Sequence, residues 1–392
     1  MNRFYCLLLI GLLCGCGFCG RSWGDETSES QADSNAGKQS LDEALQRGLE
    51  WIRRQQGKDG GWCSVNYAPL RPGAGITARI LAVLAELPPQ DRIRRTDEYQ
   101  RGVQFLSRKL QAGESGRGSL EQVDYPVYTA ACLLDAQARG DPGESLVMKS
   151  ELIAFLLRQQ RTSQNGWPAD GADIGGWSPW IETPGEVTAQ PPANVSVTCC
   201  VLEALHTAGV LTDDVKGEAA RFLSRCLAPV AGSAGLRGMT FTPWPDSPFN
   251  KGGTIRTAEG AIRPLAYHSA TADGLRIMKL LSASPEGVSL EDVLQGYRQT
   301  PRARLVTNPE FEGESERLQS ALFFYDAAAF GRVWQMSPEK FLEGDRARLL
   351  TILVRSQHED GSWTNLLPWF FEDDPLIATP LAVSALIRLN SR

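Results

Sequence analysis

Arg47 to Trp62 reads RGLEWIRRQQGKDGGW, and the chain repeats it. Glu151 to Trp167 reads ELIAFLLRQQRTSQNGW, and Arg348 to Trp363 reads RLLTILVRSQHEDGSW. Each copy runs from an amphipathic segment through a Gln into a Gly-bearing polar turn that ends on Trp. Weaker copies that lack this ending begin at Arg101 (RGVQFLSRKL) and Gly217 (GEAARFLSRCL). Such self-similarity decides the fold class before any single residue does.

Working outward, a second motif follows the copies, beginning with Thr and a small residue and continuing with aliphatics at helical spacing. Its instances are TARILAVLAEL from Thr77, TAACLLDAQ from Thr129, TCCVLEAL from Thr198, TADGLRIMKLL from Thr271 and TPLAVSALIRL from Thr379. A divergent sixth is LQSALFFYDAAAF from Leu318. Charged amphipathic helices therefore alternate with nearly apolar ones. The pairs are 41–56 with 76–87, 96–110 with 126–139, 148–160 with 195–208, 214–227 with 267–282, 289–299 with 318–331, and 342–357 with 376–390. The charged members suit an outer ring and the apolar members an inner one. The reading is all-α, an α/α toroid of about six helical hairpins in two concentric rings over residues 40–392. The outer-to-inner connections (57–75, 111–125, 161–194, 228–266, 300–317 and 364–375) are the long ones. Long loops tend to carry function, and these share one end with the inner helices' N-termini.

The ends of the repeat have a structural reason. Gln56, Gln160 and Gln357 stand where helix carbonyls lack partners, and a side-chain amide bonds backbone there. The Gly permits a left-handed turn, and Trp62, Trp167 and Trp363 are placed to cover the helix junction. These residues are read as staples between neighbouring hairpins.

Residues 1–16 are an export segment: Arg3, an apolar run from Phe4 to Leu13 too short to span a bilayer as a helix, then Leu13-Cys14-Gly15-Cys16. That tetrapeptide resembles a bacterial lipobox, with Cys16 lipidated and the protein membrane-associated through that lipid. Cys14 is unusual in that place, so plain secretion and retained anchoring stay open. Residues 17–39 are polar and aperiodic and read as a flexible tether. Four of the nine cysteines lie in the first 19 residues, and no Cys-x-x-Cys occurs beyond the export segment, which argues against a cysteine-based metal site. No cofactor is indicated. A net charge of -6 without a basic cluster gives no footprint for nucleic acid. Oligomeric state is not legible.

The Gln-x3-Gly-x-Trp element with its upstream Arg-Gly resembles the QW repeat of the squalene cyclase and protein prenyltransferase superfamily, whose members have α/α-toroid domains. The first copy fits in Arg47, Gly48, Trp51, Ile52, Gln56, Gly60 and Trp62, and the last in Arg348, Gln357, Gly361 and Trp363. The middle copy departs by one residue between Gln160 and Trp167. The segments GGWSPW…NVSVTCCVLEAL (Gly175–Leu205) and TFTPWPDSPFNKGG…YHSATADGLRIM (Thr240–Met278) also resemble bacterial prenyltransferase and squalene oxidase repeat proteins.

The resemblance implies two chemistries to look for. Terpenoid cyclases protonate alkenes with an Asp-x-Asp-Asp acid placed just before the Thr of an inner helix. No inner-helix start here has it; the nearest cluster is Glu372-Asp373-Asp374, with Phe371 where the first Asp belongs. Protein prenyltransferases hold Zn²⁺ through Asp, Cys and His. Tyr267-His268 resembles their His position, but no Asp-x-Cys partner occurs. The remaining acid candidates are Asp273 and Asp326, within apolar inner helices, and Asp373 and Asp374. Candidate ligand-binding residues at the loop end are Tyr125, Tyr128, Trp177, Trp180, Trp244, Tyr267, His268 and Trp369, with Arg256 and Arg263 as possible anion partners. The sequence thus favours a toroid holding an apolar or amphiphilic small molecule, isoprenoid or lipid, in a central cavity. An active terpenoid cyclase or transferase and a cell-envelope interaction scaffold are the alternatives.

Overall fold

A computed structural model of the chain describes residues 33–111, 120, 123–140, 146–185, 192–282, 287–306, 313–336 and 343–390. The export segment and Cys16 lie outside the described residues. The helices are α1 (Asp33–Gln55), α2 (Ala74–Ala85), α3 (Pro89–Arg94), α4 (Thr96–Gln111), α5 (Pro126–Arg139), α6 (Leu146–Gln159) and α7 (Val195–Thr207). They continue as α8 (Asp213–Arg225), α9 (His268–Leu281), α10 (Leu290–Gln299), α11 (Glu314–Ser320), α12 (Phe323–Met336), α13 (Glu343–Arg355) and α14 (Pro375–Asn390).

Six of them form the inner ring. α2 packs on α5, α5 on α7, α7 on α9, α9 on α12, α12 on α14, and α14 returns to α2. The charged helices stand outside: α4 leans on α2, α6 on α5, α8 and α10 on α9, and α13 on α14. The composition of the inner helices explains their place, since a helix apolar nearly all round must be covered on most sides. Ser40–Arg392 is one compact unit. α1 starts at Asp33, inside the stretch read as tether, with an acid at its N-terminus where the macrodipole favours one. Among the described residues no helix is long and apolar enough to cross a membrane.

The staples hold the rings together. The Gln56 amide donates to the carbonyls of Gly60 (2.8 Å) and Glu98 (2.9 Å), and Gln357 does the same to Gly361 and Ala44 (both 2.9 Å). Each amide therefore ties its own turn to the next outer helix. Trp62 donates its indole N–H to the Ile52 carbonyl (2.8 Å) and its backbone N–H to Thr77 Oγ1 (2.9 Å). Trp363 repeats this on Leu353 and Thr379. The Thr that opens the apolar motif is thus the acceptor for the staple backbone. Gly60 has φ of 90°, and a Cβ there would collide with the Arg101 carbonyl, so only glycine fits.

The middle copy is corrected. Gln160 donates to the carbonyls of Gly175 (3.0 Å) and Val215 (3.2 Å). Trp177, not Trp167, donates to Leu156 O (2.8 Å) and to Thr198 Oγ1 (3.1 Å). An inserted loop after Arg161 separates the Gln from its Gly-Gly-Trp, and Trp167 lies partly exposed on the Arg161 guanidinium instead. The fourth copy lacks the Trp, and Met239 N–H bonds Thr271 Oγ1 in its place (3.0 Å).

The 228–266 connection carries two antiparallel hairpins that the helical periodicity does not reveal. β1 (Leu227–Val230) pairs with β2 (Ser233–Met239), and β3 (Thr254–Arg256) with β4 (Ile262–Pro264). Gly232, at φ of 68°, supplies the tight turn of the first.

Candidate functional site in the ring lumen

On the inner helices a few residues break an otherwise complete burial. Arg79 is the one partly exposed residue from Ala74 to Ala85, and Tyr128 the one from Pro126 to Ala136. On α7, from Val195 to Leu205, they are Ser196, Cys200 and Glu203, spaced i, i+4, i+7 on one face, and from Phe323 to Trp334 only Tyr325. These residues face one another across the ring. Tyr325 Oη lies 2.6 Å from Asp273 Oδ2 and 2.8 Å from Ser196 Oγ, joining α12, α9 and α7. Cys132 Sγ and Cys200 Sγ, on α5 and α7, are 3.8 Å apart. The apolar surface of the inner helices serves the packing between helices, and the axis itself is lined by polar groups.

Below this level the lumen is closed. Glu86, at the end of α2, pairs with Arg332 of α12 (2.7 Å) and Arg388 of α14 (2.6 Å), and accepts from Ser384 (3.0 Å). Arg332 also pairs with Glu203 of α7 (2.9 Å), so its guanidinium spans the axis. Glu203 takes Arg276 as a second partner through Nε (2.8 Å), and Arg276 in turn holds Asp273 Oδ1 (2.5 Å). Asp135 and Arg139 pair on α5 (3.0 Å). Each inner helix thus brings a charge to its C-terminal end, where arginine also suits the macrodipole. Burial opposes ionisation of Glu203, but Arg276 and Arg332 outweigh it and hold the carboxyl at about 2. Burial likewise opposes ionisation of Glu86, and Arg388 and Arg332 hold it well below the usual carboxylate range. A hollow of about 230 Å³ lies on this C-terminal face, lined in part by Arg139, Glu203, His206, Lys279 and Arg388.

The opposite end carries the aromatics. Tyr125 caps α5 with φ of 48°, and its ring lies 4.6 Å from that of Trp180. Phe371, at φ of 65°, lies 4.5 Å from Tyr67. Left-handed backbone in a bulky residue is strained, and such strain gathers at functional positions. Both pairs are partly exposed beside inner-helix starts.

The acid candidates separate by their contacts. Asp273 is fully buried and meets Arg276, Tyr325 and Ser196; burial pushes its carboxyl up, and those three partners pull it back. Asp326 faces outward, not into the lumen: it lies 2.6 Å from His268 Nδ1, and the His268 ring stacks on Tyr297 of outer α10 (4.1 Å). Burial lowers the His268 pKa, and Asp326 offsets it. Asp374 caps α14 through Leu376 N (2.9 Å) and accepts from Ser64 (2.5 Å), while Asp373 accepts from Tyr67 Oη. These two tie the last loop to the first. Glu372, named in the acidic cluster but not among the acid candidates, accepts from Phe324 N (2.9 Å) and Tyr325 N (2.7 Å) at the start of α12. Burial pushes Glu372 up to about 8 against those bonds.

Of the ligand candidates, Tyr125, Tyr128 and Trp180 fall at the lumen and its rim. Trp177 is a buried staple, and Tyr267 and His268 are buried between elements. Trp369 lies over Arg317 (4.2 Å to the guanidinium), and Trp244 is exposed in the long connection. Arg256 bonds its own turn at Gly260 O (2.9 Å), and Arg263 lies on β4. Sequence reasoning also missed Arg79, Glu203 and Arg276; the available signal was formal charge inside otherwise apolar helices. Among the described residues no cluster of three or more His, Cys, Asp or Glu could hold a metal ion.

The ring, its staples and its lumen can now be set beside known proteins. No family model matches the chain. Over 91% of its length it superposes on 99% of a variant of the type II terpene cyclase MstE from Scytonema, in complex with its substrate geranylgeranyl dihydroxybenzoate (TM-score 0.56, 13% identity). In fold, the chain is squalene-cyclase-like. A 202-residue stretch is 26% identical to a probable squalene–hopene cyclase of Sinorhizobium fredii, covering 46% of this chain and 28% of that protein. The matched stretch therefore spans less than a third of the length of that relative. It also superposes, with 14% identity and a TM-score of 0.52, on an inactive variant of the α-1,6-mannanase GH76A from a Salegentibacter species in complex with α-1,6-mannotriose, over 89% of this chain and 98% of that one.

Proposed function

We propose that this squalene-cyclase-like toroid binds an amphiphilic isoprenoid or lipid in its lumen, with the polar end inward and the apolar end at the aromatic rim. One observation carries this reading. A stripe of partly exposed polar side chains, Arg79, Tyr128, Ser196, Cys200 and Tyr325, lines the axis of helices that are otherwise buried. The stripe ends below at the Glu86–Arg332–Glu203 closure. Strained aromatic pairs stand at the helix starts above. The isoprenoid complexes of the structural neighbours support the choice of ligand class. Solvent extraction of the purified protein, followed by mass spectrometry, tests it. A stoichiometric isoprenoid or lipid is the expected result; extracts free of such a molecule after expression in a membrane-bearing host would refute it.

A second reading, catalysis, is favoured by one feature: the fully buried Asp273 carboxyl beside the Tyr325 hydroxyl. Against it, all three neighbours of Asp273 donate to it, which suits a held carboxylate better than a proton donor. Incubation with squalene and with prenylated aromatic acids, comparing wild type with Asp273→Asn, separates the readings. Product formed by wild type and lost in the variant establishes the enzyme.

From the Leu13-Cys14-Gly15-Cys16 tetrapeptide we further propose that the protein is exported and anchored in the cell envelope by a lipid on Cys16. Mass analysis of the mature N-terminus tests this, and an unmodified residue 16 ends the lipid assignment.

A further inference from the structure

The arginines of the inner ring differ in one respect. Arg139, Arg276, Arg332 and Arg388 each pair with a carboxylate. Arg79 has neither a hydrogen bond nor a salt bridge among the described residues, and its Nε is occluded from solvent without a partner. The nearest acid on its own face, Glu86, stands two turns away, about 10 Å along the helix, and is already occupied by Arg332 and Arg388. The groups beside Arg79 are the Tyr128 hydroxyl and the thiols of Cys132 and Cys200, and the Glu86 carboxylate acts on it only through space, with no salt bridge between the two.

A guanidinium does not escape this situation by losing its proton. An unpaired buried charge is destabilising, and natural chains pair such groups or use them. Arg79 sits midway down the lumen, between the aromatic rim and the Glu86–Arg332–Glu203 closure, with a forked donor set and a phenol beside it. That combination matches an anion with two or more oxygens.

We propose that Arg79 holds the anionic headgroup of the lumen ligand, a carboxylate or a phosphate, with Tyr128 as a second donor. The inference rests on the lumen-binding reading above and sharpens it: the ligand is an acidic amphiphile, and a neutral alcohol or hydrocarbon of the same chain binds less well. The headgroup lies at mid-lumen and the chain runs out past Tyr125 and Trp180.

The test uses the purified, delipidated full chain and three probes of equal chain length: geranylgeranoic acid, geranylgeranyl monophosphate and geranylgeraniol. Dissociation constants are measured for wild type, Arg79→Gln and Arg79→Lys. At least one anionic probe is expected to bind ten-fold or more tighter than the alcohol in wild type. Arg79→Gln removes that preference, bringing the anionic probes to the affinity of the alcohol, and Arg79→Lys keeps part of it. The tighter of the two anionic probes identifies the headgroup. If wild type binds all three equally, or Arg79→Gln keeps the preference, the headgroup assignment is overturned while lumen binding stands. If no probe binds wild type, both fall. Thermal melting of the ligand-free protein gives an independent readout: Arg79→Met melts at or above wild type, because it removes an unpaired charge. A clearly lower melting temperature would show that Arg79 is structural and would overturn the assignment.

Discussion

Arg332 on α12 lies 2.7 Å from Glu86 at the end of α2, although α14 stands between those two helices in the ring. The contact therefore runs across the axis, and the same guanidinium reaches Glu203 on α7. Removing one member of a buried network leaves the rest uncompensated. Arg332→Met is expected to cost about 3 kcal/mol, the low end of the range for broken buried pairs, because Arg388 and Arg276 still serve the two acids. Urea denaturation at pH 7 measures it. A loss below about 1 kcal/mol would mean that the network is solvated like a surface pair.

The same acids set the behaviour at low pH. Glu203 is held at about 2 and Glu86 lower still, both beneath the unfolded value for Glu. Their contribution is therefore complete above about pH 4.5 and is lost as pH falls through the folded values. Denaturation midpoints are expected to drop steeply between about pH 4.5 and 2. In Glu203→Gln the drop is shallower, from a lower starting stability at pH 7. Parallel curves would contradict the assignment.

Glu372 acts with the opposite sign. Its folded value, about 8, exceeds the unfolded one, so its favourable contribution is full below about pH 4.5 and fades as pH rises through 8. Wild type is expected to lose stability from pH 5 to pH 9 relative to Glu372→Gln, in which the amide cannot ionise. The difference between the two denaturation series, taken across that window, is the measurement. A difference that does not change with pH would remove Glu372 from the account.

The two tryptophans of the middle copy should separate clearly. Trp177 is buried and bonded at both nitrogens, so Trp177→Ala is expected to cost about 3–5 kcal/mol. Trp167 is partly exposed on Arg161, and Trp167→Ala is expected to cost about 1 kcal/mol or less. Comparing their melting temperatures checks the reassignment, and the reverse order would restore Trp167 as the staple.

The ring was legible because its signals are local. Helical spacing of the apolar residues, and Thr77, Thr198, Thr271 and Thr379 at the inner-helix starts, needed no knowledge of distant contacts. Trp167 misled because it comes within one residue of the repeat spacing after Gln160, whereas the partner that fits the junction lies ten residues further on. The β1–β2 and β3–β4 hairpins escaped because their short strands alternate weakly and lie within a stretch read as loop. The lumen was the least legible part. Arg79 and Glu203 look alike in sequence, each a lone charge in an apolar helix, and Arg332 shares its helix only with Asp326. Only the three-dimensional arrangement shows that Glu203 and Arg332 pair directly while Arg79 makes no salt bridge among the described residues. The acids Asp326 and Asp374 were found as residues, yet their direction, outward to His268 or onto a helix start, depends on the rotation of each helix.

The outer ring is joined between α1 and the turn that follows α13. Arg47 on α1 donates to the carbonyls of His358 (2.7 Å) and Glu359 (3.1 Å), and Gln357 reaches back to Ala44. The earliest helix to leave the ribosome thus waits for nearly the latest before its partners exist. Synthesis that stops a few dozen residues early leaves two raw flanks rather than one smaller object, so truncated products should be targets for proteolysis.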